Sequence, residues 1–196
     1  IGPLFIEYWQ LLFLICSILS LGIGTFVSLY QKNLKRFLAY GAVTHIGYLL
    51  MAIAIGSSLG YQAVFIYIVI YIVASFISFG VILSLVSKKE GVSVNLITEL
   101  SGLAKKNVVL AITLALAFFS IAGVPPLAGF YSKYYIFIAT IQGGYYYLAI
   151  FGVVISVIGA VYYLRFIKLI FFDNINIKQN DDYLTISKFT SIILGL

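Results

Sequence analysis

The sequence predicts an all-α fold: a polytopic transmembrane helical bundle of about six spans, forming one transmembrane domain over 1–196. Three observations predict it. Of the 196 residues, 63% are hydrophobic and only 9% are charged, against about 45–50% and about 25% in soluble domains. The apolar residues fall into long uninterrupted runs, each near the ~20 residues a helix needs to cross a bilayer. The basic residues sit in the short segments between those runs. Twelve bases and six acids cannot cover the surface of a water-soluble protein of this size, which excludes a cytosolic enzyme, a nucleic-acid binder and a disordered tail. The net charge of +6 reads as a membrane topology signal and not as a nucleic-acid footprint.

The runs give the spans in order. The first covers 8–30, the second 37–56 and the third 60–87. The fourth apolar stretch, 108–142, is too long for one ordinary helix. The fifth covers 145–172, and the sixth, 183–196, is short. Threading these spans puts Lys32, Lys35, Arg36, Lys88, Lys89, Lys105, Lys106, Arg165, Lys168 and Lys178 on one side, while the opposite segments 57–59 and 142–144 carry no charge. Positive charge marks the side of synthesis, matrix or cytoplasm, so both termini are expected on the other side. Lys188 fits by snorkelling towards the basic face. Lys133 does not fit.

The fourth stretch contains that lysine. Pro125 and Pro126 remove two backbone donors and push their predecessors out of helical geometry, and Gly123 and Gly129 flank them. A simple kink is one reading. A broken helix is the more economical one, with halves at 108–124 and from Tyr131 onward. Irregular backbone at membrane depth is tolerated only where protein buries it or it lines a water-filled cavity. Lys133 opens the second half, nine residues from Gln142. It is therefore more than two turns deep at ~1.5 Å per residue. The bland alternative is a lysine snorkelling to an interface. An intramembrane lysine is costly and marks function by default, and a site that hydrates intermittently beside a movable charge lets such a group serve as a proton relay. No acid lies in the spans to partner it, so a charged partner is expected on another chain.

His45 lies near the middle of the second span, and an imidazole's ordinary pKa of about 6.5 suits proton transfer. Two roles fit it equally: relay, or a neutral core histidine bonded to a carbonyl or to a hydroxyl such as that of Thr44 or Tyr48. Tyr40, Tyr48, Tyr67 and Tyr71 extend a polar path on the first reading, and pack or form a belt on the second. Lys35 and Arg36 are topology anchors on one reading and a candidate channel entrance on the other. Glu7 is expected at the opposite surface, solvated. One cysteine, Cys16, and one histidine exclude a disulfide framework and a His-rich metal cluster. There is no phosphate-binding glycine loop. A first run that carries Glu7 and lacks a basic leader does not read as a removable signal peptide.

Three blocks carry a family resemblance. SLYQKNLKRFLAYGAVTHIGYLL, SGLAKKNVVLAITLALAFFSIAGVPPLAGFYSKYYIF and GVVISVIGAVYYLRFIKLIFF resemble, in order, three signature segments of the antiporter-like membrane subunits of respiratory complex I. The span 63–86 lacks the histidines and lysine of the subunit 4 and 5 branches, so the subunit 2 branch of NADH dehydrogenase fits best. Gly41 and Ala42 stand where the family has serines. The resemblance implies the second inverted repeat of the antiporter-like fold plus the final helix, with Lys133 at the lysine of the second broken helix. It implies a proton-translocating role, and no cofactor on this chain. NADH, FMN, iron–sulfur clusters and ubiquinone belong to the assembled complex. The implied partners are other membrane-arm subunits, membrane lipids and a separate chain supplying the N-terminal half. The AT-rich flavour of the composition implies the mitochondrial inner membrane, with the basic loops in the matrix and the termini in the intermembrane space. A subunit of a multi-chain cation/proton antiporter, and a purely structural half-subunit, are the alternatives.

Overall fold

The computed structural model describes residues 3–87, 95–173 and 183–186. Its helices are α1 (Pro3–Tyr30), α2 (Leu34–Ala54), α3 (Ser58–Ser84), the short α4 (Leu103–Lys106), α5 (Val108–Ala122), α6 (Ala128–Gln142) and α7 (Tyr146–Phe171). Strands β1 (Leu85–Ser87) and β2 (Tyr183–Ile186) pair antiparallel. Four of the helices are long and apolar enough to cross a membrane: Tyr8–Tyr30, Leu34–Ala54, Ser58–Ser84 and Tyr146–Phe171.

Polar residues set where α2, α3 and α5 begin. The side chain of Asn33 accepts the Arg36 amide at 3.1 Å, that of Ser57 the Gly60 amide at 3.0 Å, and that of Asn107 the Leu110 amide at 3.1 Å. Each satisfies an amide that a helix start otherwise leaves open. α1 and α2 pack backbone to backbone. A Cβ on Gly24 would stand 2.5 Å from Thr44 Oγ1, and one on Gly47 would stand 2.8 Å from the Leu21 amide. Across that seam the Thr25 and Thr44 hydroxyls meet at 3.2 Å, and Ser17 Oγ donates to the Gly47 carbonyl at 2.8 Å. Small residues and hydroxyl bonds are how helices associate where lipid removes the hydrophobic drive.

Two apolar cores follow. One joins Leu34, Phe37, Val81, Leu114, Phe118, Tyr163 and Phe166, and the other Tyr48, Met51, Tyr67, Ile136 and Ile155. Large apolar residues such as Leu11, Ile15, Phe26, Phe65, Phe76, Val157 and Val161 are turned outward. That is costly in water and natural in a bilayer. The segments carrying Lys32, Lys105, Lys106, Arg165 and Lys168 share one end of the bundle. The Leu34 amide donates to the Asn95 carbonyl (2.8 Å), Ile97 to Lys32 (3.0 Å) and Gly102 to Leu169 (3.2 Å).

The structure departs from the expected elements in three places. The helix break is shorter than expected, and α6 starts at Ala128 instead of Tyr131. The reason is local: the Gly129 amide, open at a helix start, finds Ser120 Oγ across the break at 3.2 Å. The third helix ends at Ser84, and 85–87 are extended. The sixth span does not begin at Tyr183, because 183–186 is the strand paired with β1. The rest of that span, together with Lys88, Lys89, Lys178 and Lys188, lies outside the described residues.

Candidate functional site: a buried lysine at a helix break

α5 ends in a glycine cap. Gly123 has φ +85°, its amide reaches the Ser120 carbonyl (3.0 Å), and the Val124 amide reaches Phe119 (3.0 Å). This pattern closes a helix C-terminus but leaves its last carbonyls open. Lys133 Nζ donates to one of them, Ala122 O, at 2.8 Å. The ammonium thus sits at the end of a half-helix whose dipole is negative there. Its second partner is Ser156 Oγ on α7, at 3.1 Å. Its face is the Tyr48 ring, 5.3 Å from Nζ to the ring centroid, within cation–π range. Lys133 is only 7% exposed.

The half-helices must overlap to bring these atoms together. A Cβ at Gly129 would collide with the Ser120 carbonyl, and one at Gly123 would stand 2.9 Å from Lys133 Cδ. Gly123, Pro125, Pro126 and Gly129 therefore act as a unit. The prolines interrupt the helix, one glycine turns the chain, and the other lets the second half lie against the first.

His45 is buried on α2, 4% exposed. Its Nδ1 is hydrogen-bonded to Tyr67 Oη at 2.6 Å, and its ring stacks on Tyr71 with centroids 4.4 Å apart. The partner is Tyr67, not Thr44 or Tyr48. Thr44 is turned to α1 and Tyr48 Oη donates to the Gly152 carbonyl at 3.1 Å. His45, Tyr67, Tyr71, Ser120, Ser132 and Lys133 line one small cavity. Its volume of ≈ 10 Å³ is on the scale of a single water. The cavity lies where the two apolar cores meet, since Ala74 and Ile121 belong to one and Tyr67 to the other.

The structure thus brings Lys133, His45, Tyr48, Tyr67 and Tyr71 together. Tyr40 is outside the group, half-buried, its carbonyl 3.4 Å from Thr44 Oγ1. Lys35 and Arg36 are exposed in the first turn of α2 at the basic end. Sequence reasoning did not single out Ser156, Ser132 or Ser120. The available signal was the Gly152–Ser156 spacing on α7, one turn apart, which faces a carbonyl and a hydroxyl towards the same neighbours. Gly41 leaves room for a tyrosine: the Tyr163 hydroxyl lies 3.1 Å from where its Cβ would be.

The family model described as NADH:quinone oxidoreductase/Mrp antiporter, TM, matches residues 2–159. The chain belongs to this family. It is 42% identical over 174 residues to NADH-quinone oxidoreductase subunit N of Rhodospirillum rubrum, covering 88% of the chain and 35% of that relative. It is 44% identical over 165 residues to NADH-ubiquinone oxidoreductase chain 2 of Marchantia polymorpha, covering 84% and 33%. The chain therefore spans about a third of the length of the curated relatives it matches. Among solved structures, a chain of respiratory complex I from Thermus thermophilus with bound aureothin superposes with TM-score 0.72 at 29% identity, over 82% of this chain and 36% of that one. A chain of the Mrp complex from Dietzia sp. gives 0.75 at 25%, over 86% and 31%. This antiporter-like membrane subunit carries its buried lysine within the matched region.

Proposed function

We propose that the chain is a proton-translocating membrane-arm subunit of mitochondrial NADH:ubiquinone oxidoreductase, and that Lys133 is its mid-membrane proton carrier. The observation that carries this is the ammonium of Lys133 held between a half-helix carbonyl and a serine, over a tyrosine ring, beside a water-sized cavity shared with His45. Neutral partners hold a charge without locking it, so a proton can leave when a neighbouring charge changes. His45 and Tyr67 are already hydrogen-bonded, and one water in the cavity would connect them to Lys133. Lys35 and Arg36, at the basic end, would lie at the matrix-side entrance. The chain would hold no redox centre of its own. Electron transfer to quinone elsewhere in the assembly would shift the charge that Lys133 feels. Its partners would be the other membrane-arm subunits, among them a separate chain with the family's first repeat.

The Mrp likeness in both the family model and the Dietzia structure supports a second reading, a subunit of a multi-chain cation/proton antiporter. A native gel of solubilised membranes, stained for NADH dehydrogenase activity and read by mass spectrometry, separates them. The chain is expected in the active band, with the chains that complete its fold. Migration apart from every redox subunit overturns the complex I reading and leaves the antiporter. A structural half-subunit is distinguished by a Lys133→Ala variant that assembles and still pumps fully.

A further inference from the structure

At the basic end, the last turn of α1, the first turn of α2, the 95–98 segment and α7 enclose a cleft of ≈ 600 Å³. Lys32 and Arg165 line it, both exposed, while Phe37 and Phe166 form its apolar floor. Among the described residues no carboxylate pairs with either cation. The carboxylate in the adjoining loop, Glu99, accepts the Asn95 and Leu96 amides at 2.9 and 3.2 Å. Ser28 also lines the cleft. It is only 1% exposed, and its hydroxyl faces that of Tyr162 but makes no hydrogen bond of ordinary length. A buried hydroxyl held this loosely gains from a closer partner.

We infer that this cleft binds an anionic phospholipid, its phosphate between Lys32 and Arg165, its glycerol–ester region at the Ser28 hydroxyl and an acyl chain along Phe37 and Phe166. A guanidinium matches phosphate with a two-pronged geometry, and basic pockets between helices at the membrane surface suit anionic headgroups. Free phosphate would gain nothing from the aromatic floor, and a neutral lipid nothing from the two cations. This inference is independent of the proton-relay reading, because its test reads lipid contact and not pumping.

The test uses the purified assembly in phosphatidylcholine vesicles that contain a few per cent of phosphatidylglycerol carrying an acyl-chain diazirine. After irradiation, adducts are mapped by peptide mass spectrometry. Adducts are expected within 27–37 and 161–170, and unlabelled phosphatidylglycerol should compete where inorganic phosphate does not. The K32Q/R165Q variant should lower them about thirtyfold. Should that variant fail to assemble, Leu169→Trp narrows the cleft at unchanged charge and is expected to lower the same adducts. Equal labelling by a phosphatidylcholine probe, labelling spread evenly along the outer helix faces, or adducts unchanged in the variants would overturn the inference. Absence of adducts in the wild-type assembly, as when a protein partner fills the cleft, would overturn it as well.

Discussion

Tyr67→Phe removes the hydroxyl that His45 Nδ1 holds at 2.6 Å, leaving a buried ring nitrogen without a partner at a cost of about 1–3 kcal/mol. The expected outcome is a lower melting temperature of the assembly and slower proton translocation, with NADH oxidation by added acceptors unchanged. Thermal-shift and vesicle acidification assays check the two halves of that statement. Ser156→Ala leaves Lys133 with the Ala122 carbonyl and the Tyr48 ring. Translocation should fall by less than in Lys133→Ala, because the ammonium keeps its closer partner. Both relay candidates were legible in the sequence because a histidine and a lysine inside apolar runs are costly wherever they point. The partners were not. A serine in a helix reads the same whether it faces lipid or a lysine, and the choice of Tyr67 over Tyr48 depends on how α2 and α3 pack, which no local pattern states.

The elements show the same division. Long apolar runs placed α1, α2, α3 and α7 to within about five residues at each end. Two prolines between glycines marked the broken helix. The exact extent of the break was hidden because it depends on a contact across it, the Gly129 amide to Ser120 Oγ. That contact makes a sharp expectation. Gly129→Ala would drive a methyl into the Ser120 carbonyl and force the half-helices apart, at about 1–3 kcal/mol or more. Lower yield of the assembled subunit and weaker pumping are expected together, whereas Ala128→Gly, one residue earlier, should leave pumping near wild type. Quantitative blotting of native gels with acidification rates measures both. Where apolar content predicted a span from Tyr183, residues 183–186 pair with β1 as a strand, a pairing that no local pattern states.

At the scale of the molecule, the charge pattern predicted that Lys32, Lys105, Lys106, Arg165 and Lys168 share one side. The backbone bonds among their segments bring them to one end. Their membrane side is testable with a Cys16→Ala background carrying either Lys168→Cys or Gln142→Cys, both exposed positions. A membrane-impermeant thiol reagent applied to oriented vesicles should label the two from opposite sides, Lys168→Cys from the side rich in basic loops. The most direct test of the whole account is the number of protons translocated per NADH oxidised in vesicles holding the Lys133→Ala assembly, with its subunit composition verified. If Lys133 carries protons, that number falls below wild type while the assembly stays intact. If it stays at the wild-type value, Lys133 carries no protons and the buried site serves structure alone.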